Sequence, residues 1–261
     1  MAEAVMEGSV SYAQTEGSDV GETRTVADYP LENKMKKQPF FTTKAPATFD
    51  KVSLVSTGIG CIIGFGCCLS NYNWPIAMYM VLNGVFHLME FYVTARFNAK
   101  SLGMWSFCLC NGIHYAIAQI FAASELLYRS YKHNSWPENS LIFKFAFLLA
   151  VCGQIIRSTA MIHAATSFDH YVQKEKKEDH TLVQTGLYSI IRHPSYTGFY
   201  IWSVAMQIMV RNWISAVLFC VVDFVFFYKR LEKEEKALVE FFGNDYVLYK
   251  SRVWSGIPFI K

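Results

Sequence analysis

Long apolar stretches separated by short polar segments make up most of the chain from residue 52 onward. Residues 52–86 contain no Asp, Glu, Lys or Arg. Because a helix needs about 20 mostly apolar residues to cross the hydrocarbon core of a bilayer, such stretches are typical of membrane spans. The predicted spans are residues 52–70, 74–97, 104–128 and 141–165, with two shorter ones at 196–210 and 213–228. The pattern therefore predicts an all-α, polytopic membrane helix bundle of about six transmembrane helices.

The two short spans are separated only by Arg211 and Asn212. Two helices joined by so short a turn lie antiparallel, so residues 196–228 are expected to form a hairpin that enters and leaves on one side. A helix-like run from Arg230 to Phe242 follows, and it is expected to end at Gly243, a residue type that often terminates helices. The aromatic tail beyond it is expected to dock on the membrane surface or on the loop before the hairpin.

The distribution of charge predicts how the chain is divided and oriented. Residues 1–50 are rich in Ser, Thr, Glu and Lys, a composition typical of a disordered tail. Six spans place most of the Lys and Arg of the loops on the side of both termini, which the positive-inside rule assigns to the cytosol. We therefore divide the chain into a cytosolic tail (1–50), four transmembrane helices (51–165) and a C-terminal region (166–261) whose loop and tail face the cytosol.

The composition excludes several function classes. Hydrophobic residues make up 52% of the chain and charged residues 17%, which is unlike an ordinary soluble domain, and a net charge of +3 is too small to indicate nucleic-acid binding. The seven cysteines lie in apolar runs without a Cys-x-x-Cys pattern, so we expect reduced core residues and neither a disulfide framework nor a metal site. Gly60 and Gly64 permit close helix packing, and packing within the chain is favoured over a homodimer face.

Ionisable residues inside predicted spans are costly and usually face the bundle interior, and three of them are considered as site residues. His87 and Glu90 are three residues apart and share a helix face. Pairing with each other or with a neighbouring helix is favoured for them over contact with a substrate. For Arg157, snorkelling to the interface and a role at the site remain equal alternatives.

The stretch from His180 to Gly198 crowds titratable, aromatic and glycine residues together at loop spacing. Because Pro suits the first turn of a helix, the hairpin is expected to begin at about Pro194 or Ser195. The N–H groups and positive dipole end of that helix then suit a carboxylate close to His193. Gly186 and Gly198 allow close backbone approach, and Tyr188 and Tyr196 offer flat faces with a hydroxyl group. This combination predicts a cofactor pocket at the cytosolic face, so residues 166–261 are expected to form the catalytic region.

A second group of charged residues lies on the helix that continues the last span. Arg230 and Glu234 are four residues apart and share a helix face, so they are expected to form an ion pair. As a bare pattern this pair is weak, because most such pairs lie on a solvated face. Asp223 precedes Arg230 by seven residues and is expected to join the same network. Glu235 follows directly.

These residues together resemble the isoprenylcysteine carboxyl methyltransferase family, most closely its six-span fungal form. The resemblance covers about residues 52–261 and includes Phe86-His87 with Glu90 and Phe168-x-His170. Its main motifs are His180-x-Leu182-Val183-x-x-Gly186-x-Tyr188-x-x-x-Arg192-His193-Pro194-Ser195-Tyr196-x-Gly198, Arg230-x-x-x-Glu234-Glu235, and the tail with Phe241-Phe242-Gly243, Tyr246, Tyr249 and Ile257-Pro258-Phe259-Ile260.

The resemblance implies methyl transfer from S-adenosylmethionine, without a metal, to the C-terminal carboxylate of a farnesyl- or geranylgeranyl-cysteine in CaaX-processed proteins such as Ras-type GTPases and a-factor-like pheromones. It also implies a multi-pass protein of the endoplasmic reticulum membrane. Arg230 and Glu234 would be the catalytic pair. Arg157, His87 and Glu90 remain candidates for contact with the substrate. The implied cofactor-binding residues are His180, Leu182, Val183, Gly186, Tyr188, His193, Tyr196 and Glu235.

Two other enzymes remain as alternatives on the same C-terminal half. A membrane sterol reductase that uses NADPH shares the Arg-His-x-x-Tyr-x-Gly stretch and an acidic pair but has more spans. A phospholipid methyltransferase shares the cofactor but not the tail. A channel or receptor would leave Arg230 and Glu234 without a task, and the spans show no obvious ion pathway.

Overall fold

A computed structural model describes residues 45–109, 112–132, 140–173, 175–258 and 260. This part of the chain contains isolated β-bridges but no extended strand, and its regular structure is helical. The α-helices are α1 (Phe49–Leu69), α2 (Trp74–Phe97), α3 (Ile113–Lys132), α4 (Leu141–Ala164), α5 (Pro194–Met209), α6 (Trp213–Phe242) and α7 (Asn244–Arg252). The prediction of an all-α fold is confirmed for these residues.

Three of the described helices are long and apolar enough to cross a membrane: α1, α2 and the run Leu141–Ser167 that begins with α4. By contrast, α5 has only 16 residues, and the 30 residues of α6 combine an apolar first half with a charged second half. The predicted span 213–228 and the predicted helix from Arg230 to Phe242 are thus one continuous helix, which ends before Gly243 as expected. The count of six spans stays a prediction.

The start predicted for the third span is wrong. A 3-10 turn occupies Met104–Phe107, and α3 begins only at Ile113. Cys108 has a φ of 53° and Gly112 a φ of 95°, both outside the helical region, so the apolar sequence after residue 103 cannot form one straight helix. The turn instead brings the carbonyl oxygen of Phe107 within 2.8 Å of His87 Nδ1.

Glycines set the closest approaches between helices. A Cβ atom at Gly198 of α5 would lie 2.6 Å from the backbone nitrogen of Arg157, and one at Gly153 of α4 would lie 2.7 Å from the carbonyl oxygen of Gly198. The backbones of α4 and α5 are therefore in direct contact. A Cβ atom at Gly60 or Gly64 would meet no atom within 4 Å, so their predicted packing face does not pack within the described chain, and the homodimer stays a prediction.

Two further expectations need correction. Cys61, Cys67, Cys68 and Cys152 lie on exposed helix surfaces and only Cys108 is buried, so most of the described cysteines are not core residues. Cys110 lies outside the described residues.

The predicted disordered tail also falls mostly outside the described residues, which begin at Ala45. Within the described part, Ala45 is buried and its carbonyl oxygen accepts a hydrogen bond from Met104 N at 3.1 Å. The last residues before α1 are therefore ordered against the segment that follows α2.

The C-terminal tail docks on the loop before α5, as predicted. Arg192 N donates to the carbonyl oxygen of Trp254 at 2.8 Å, and His193 N donates to that of Ser255 at 3.1 Å. Ile257 is fully buried. These bonds fix the backbone that leads into α5, where the predicted functional residues are concentrated.

Candidate active site

A cavity lies between the segment 164–173, the loop 180–196 and the second half of α6. It is lined on the loop side by His180, Thr181, Leu182, Val183, Tyr188, Arg192, His193, Ser195 and Tyr196. The α6 side contributes Glu234, Ala237, Leu238, Phe241 and Phe242, and α7 contributes Tyr246 and Tyr249. The remaining walls are formed by Ala164, Ser167, Phe168, Asp169, Tyr171, Val172 and Gln173. Predicted site residues that are distant in sequence therefore meet around one space.

The loop enters the cavity at a helix that begins at Pro194, as the sequence predicts. The N–H groups of Tyr196 and Thr197 both donate to the carbonyl oxygen of His193, at 3.1 and 3.2 Å. These two N–H groups are not free to bind a carboxylate, so the side chains rather than the bare helix end define the polar wall.

His193 lies between two carboxylates of α6. Its Nδ1 is 3.5 Å from Glu234 Oε1, and its Nε2 is 3.3 Å from Glu235 Oε1. Burial lowers the pKa of His193, but hydrogen bonds with Glu234 and Glu235 outweigh burial, so the pKa lies above its usual value. The imidazole is thus biased towards its charged form, in which both ring nitrogens donate.

Glu235 is held by cations from two other parts of the chain. Its Oε1 accepts from Arg192 Nη2 at 2.8 Å, and its Oε2 accepts from Lys250 Nζ at 2.5 Å. Burial raises the pKa of Glu235, but the hydrogen bonds from His193, Lys250 and Arg192 lower it by more, so the pKa is about 2. Glu235 does not line the cavity. Its contacts join α6, α7 and the loop behind the cavity wall.

Arg230 is held at two points. Its Nε donates to Tyr196 Oη at 2.7 Å, and its Nη2 donates to the carbonyl oxygen of His170 at 2.7 Å. The Tyr196 hydroxyl donates in turn to Glu234 Oε2. Arg230 Nε and Glu234 Oε2 are 3.9 Å apart, so the predicted ion pair exists but is bridged by the tyrosine. Within the described chain, Nη1 of Arg230 has no hydrogen-bond acceptor and remains available for a ligand.

Asp223 does not join this network, contrary to expectation. Its Oδ2 accepts from Ser203 Oγ at 2.5 Å, within the helix hairpin. One turn of an α-helix is about 5.4 Å, so the seven residues between Asp223 and Arg230 separate the two side chains by about two turns despite their shared face.

The buried ion pair of Glu90 with Arg157 joins α2 to α4. Arg157 donates to Glu90 through Nε and through Nη2, the latter at 2.7 Å. Arg157 is only 6% exposed, so it does not snorkel to an interface. His87 bonds to the carbonyl oxygen of Phe107 and not to Glu90. None of these three side chains lines the cavity.

Gly186 also lies outside the cavity lining. Its φ is +59°, and a Cβ atom there would lie 2.6 Å from Cε1 of His163. Gly186 therefore forms a tight turn against α4, and Tyr188, two residues later, lies in the cavity wall. The hydroxyl of Tyr188 donates to the carbonyl oxygen of Ala160 at 3.2 Å.

The sequence interpretation missed part of the α6 wall. Leu238, Phe241 and Phe242 follow Glu234 at helical spacing and line the same cavity. The rings of Phe241 and Phe242 both present an edge contact to His180, with centroid distances of 5.7 and 5.3 Å. The helix face that carries Glu234 continues to Leu238, four residues later, and to Phe241 and Phe242 one turn after that. Following this face along the helix would have identified all three residues.

The C-terminal half of the chain matches a known sequence family. The profile of the "Isoprenylcysteine carboxyl methyltransferase (ICMT) family" matches residues 146–240. The protein-S-isoprenylcysteine O-methyltransferase of Schizosaccharomyces pombe is 37% identical over 223 residues, which cover 80% of this chain and 94% of that protein. The chain belongs to the isoprenylcysteine carboxyl methyltransferase family.

Relatives from other sources agree with this membership. The Homo sapiens protein-S-isoprenylcysteine O-methyltransferase is 38% identical over 217 residues, which cover 81% of this chain and 75% of that protein. A solved structure of a eukaryotic intramembrane Ras methyltransferase of the family superposes with a TM-score of 0.73 and 30% identity, over 77% of this chain and 74% of the other. These relatives give no support to a sterol reductase or a phospholipid methyltransferase.

Proposed function

We propose that this member of the isoprenylcysteine carboxyl methyltransferase family transfers a methyl group from S-adenosylmethionine to the C-terminal carboxylate of a prenylated cysteine. The observation that carries the proposal is the position of Arg230. It is held by Tyr196 and by the backbone of His170 next to a cavity lined by most of the predicted cofactor residues. The substrates would be CaaX-processed proteins that end in farnesyl- or geranylgeranyl-cysteine.

The cavity wall suits the groups of S-adenosylmethionine. Tyr188, Phe241 and Phe242 supply aromatic faces for a flat base. Asp169 and Glu234 supply carboxylates that attract the ammonium and sulfonium groups of the cofactor. Arg192 and His193 contribute positive charge to the same wall, while their nitrogens are bonded within the chain. His180 adds an imidazole whose pKa is lowered by burial and by the nearby Lys177 and Lys176, so it is biased towards the neutral form.

When bound, S-adenosylmethionine supplies an electrophilic methyl group on a positively charged sulfur. The acceptor carboxylate is already ionised at neutral pH, so no general base is required. Nη1 of Arg230 would bind and orient that carboxylate, while Tyr196 and Glu234 fix the guanidinium. Because opposite charges disappear as the ester forms, the burial of Tyr196 beside Arg230 favours the reaction by excluding water.

The remaining expectations form part of the same proposal. We infer that α3, α5 and α6 also cross the membrane, which gives six spans with both termini in the cytosol. Residues 51–165 then form the first four spans and residues 166–261 the catalytic region, with the cavity at the cytosolic face of the endoplasmic reticulum. The prenyl chain would enter from the lipid and the cofactor from the cytosol.

An esterification assay tests the proposal. Membranes that contain the chain receive labelled S-adenosylmethionine and N-acetyl-S-farnesylcysteine, and base-labile methyl ester is measured. We expect ester from the unmodified chain. The absence of ester above background would overturn the proposed function.

Replacing Arg230 tests its assigned role. Arg230→Ala should abolish turnover while leaving S-adenosylmethionine binding largely intact, because Arg230 is assigned to the acceptor carboxylate. Lys233→Ala, which removes an exposed cation from the same helix, should retain activity and serves as the control. Loss of cofactor binding in Arg230→Ala would instead assign Arg230 to the cofactor site.

A further inference from the structure

A buried group of polar side chains lies beneath the cavity: Glu90 of α2, Arg157 of α4 and His170 of the segment after α4. Glu90 is 1% exposed, and its Oε2 is 3.1 Å from His170 Nε2. Arg157 binds both carboxylate oxygens of Glu90. Burying such charges is costly unless they are paired, and here the pairing is complete within the chain.

This completeness argues against direct contact of Glu90 or Arg157 with substrate. The ligand-type atoms of Glu90, Cys108 and His170 lie within 4.8 Å of one another, an arrangement compatible with a cation. The guanidinium of Arg157, however, already occupies the side of Glu90 that a cation would need. Its charge is also placed over the rings of Phe199 and Phe86, at 5.3 and 5.8 Å from their centroids.

The buried group reaches Arg230 by two routes. On one route, the side chain of His170 is fixed by Glu90, and its backbone carbonyl accepts the hydrogen bond from Arg230 Nη2. On the other, Arg157 Nη1 donates at 3.1 Å to the carbonyl oxygen of Ser195, the residue before Tyr196. Both groups that hold Arg230 are therefore attached to the same buried ion pair.

We propose that Glu90, Arg157 and His170 are positioning residues that fix the guanidinium of Arg230 in the orientation required by the acceptor carboxylate. The proposal rests on the proposed function and deepens it. Glu90 and Arg157, which the sequence leaves as candidates for substrate contact, instead control the residue that makes that contact. A misplacement of a reacting group by about 1 Å can cost about a hundredfold in rate, so such anchoring has a measurable effect.

His170→Ala is the most informative variant because it removes one anchor at the edge of the buried group. The segment keeps a second anchor, since Asn98 Nδ2 donates to the carbonyl oxygen of Phe168 at 2.6 Å. The variant is therefore expected to fold and to bind S-adenosylmethionine. Its kcat per bound cofactor should fall about tenfold to a hundredfold, with KM for S-adenosylmethionine changed by less than about twofold. His170→Gln, which retains a donor towards Glu90, should recover most of kcat.

A double variant separates positioning from general damage. Arg230→Lys replaces the two nitrogens that contact Tyr196 and His170 by a single one, so adding His170→Ala to Arg230→Lys should cause little further loss of kcat. Full additivity of the two effects would overturn the proposal. So would an equal loss of cofactor binding and turnover in His170→Ala, because that result indicates a purely structural role.

A carboxylate far from the site supplies the matched control. Glu125 of α3 accepts from Ser215 N at 2.8 Å and from Ser215 Oγ at 2.6 Å, near the start of α6. The 15 residues between Ser215 and Arg230 span about 22 Å at about 1.5 Å per helical residue. Glu125→Gln should lower the unfolding temperature but leave kcat per bound cofactor unchanged.

Two failures remain distinguishable. An unmodified chain that forms no ester overturns the proposed function and this inference with it. An active unmodified chain with an equally active His170→Ala variant overturns only the positioning role.

Discussion

At the scale of single residues, the charge of His193 is set by its neighbours. Two carboxylates, Glu234 and Glu235, contact its ring nitrogens, and their hydrogen bonds outweigh burial and raise its pKa. A raised folded-state pKa stabilises the fold fully below the unfolded value of about 6.5. This stabilisation is lost as the pH rises through the folded pKa. The pKa of Glu235 is lowered to about 2, so its contribution is complete above its unfolded value of about 4.3.

His193→Gln should therefore show a pH-dependent loss of stability. Glutamine keeps a hydrogen-bonding side chain but cannot carry the charge, so the gap in unfolding temperature from the unmodified chain should be largest near about pH 6 and smaller near about pH 9. Thermal unfolding of the cofactor-free protein in detergent at the two pH values measures it. A gap that widens with rising pH would contradict the assigned charge state. His114→Gln, at an exposed position of α3, is the matched control for the loss of an imidazole.

At the scale of elements, the contact of α4 with α5 supports the site because it places Arg157 beside Ser195. Gly198→Ala should disrupt this contact, since its Cβ atom would lie 2.6 Å from the backbone nitrogen of Arg157 and 2.7 Å from the carbonyl oxygen of Gly153. Both neighbours are helix backbone and cannot rotate away. We expect a loss of about 1–3 kcal/mol in unfolding free energy, typical of overpacking, with a matching fall in unfolding temperature.

Gly64→Ala is the matched control for that glycine. No atom lies within 4 Å of a Cβ at Gly64, and alanine favours a helix over glycine by about 1 kcal/mol, so the variant should be as stable as the unmodified chain or more so. Equal stability of Gly198→Ala and Gly64→Ala would contradict the close contact of α4 and α5.

The same elements show what the sequence can predict. Local chemistry determines the ends of helices, so Pro194 and Gly243 correctly predict the start of α5 and the end of α6. The start of α3 depends on the left-handed backbone of Cys108, for which an apolar run gives no signal. Apolarity alone also cannot show which glycines touch another helix, and so the spacing of Gly60 and Gly64 misleads while Gly153 and Gly198 form the contact.

For the site, the sequence predicts which residues meet but not their division of labour. His180, Tyr188, His193 and Tyr196 line one cavity as expected. The bond of Arg157 to Glu90 joins positions 67 residues apart, and no periodicity within a single helix encodes such a pair. Contacts between helices and loops are equally hidden from the sequence. It therefore groups Asp223 with Arg230, whereas Asp223 accepts from Ser203 of the neighbouring helix, and it gives no role to the carbonyl oxygen of His170.

At the scale of the whole molecule, the site lies at one end of the helices. Both α2 and α4 end close to it. Asn98 directly follows α2, and its side chain donates to the carbonyl oxygen of Phe168. Ala164 is the last residue of α4 and lines the cavity. The opposite end carries the contact of Glu125 with the start of α6. The 24 residues of α4 span about 36 Å, enough to cross the hydrocarbon core, so the two ends should face different compartments.

This arrangement predicts the compartment of each end. The end of α3 at Lys132 and the start of α4 at Leu141 lie on the side that the proposed topology places in the lumen of the endoplasmic reticulum, so the connection between them should be lumenal. The sequence contains no Asn-x-Ser or Asn-x-Thr site, so an extended tag that carries such a site can be inserted without background. A tag within 133–139 should be glycosylated in microsomes, whereas the same tag after Lys261 should not, because the tail docks beside the cavity. Glycosylation of the C-terminal tag alone would reverse the proposed orientation and place the cavity, with Arg230, on the lumenal side.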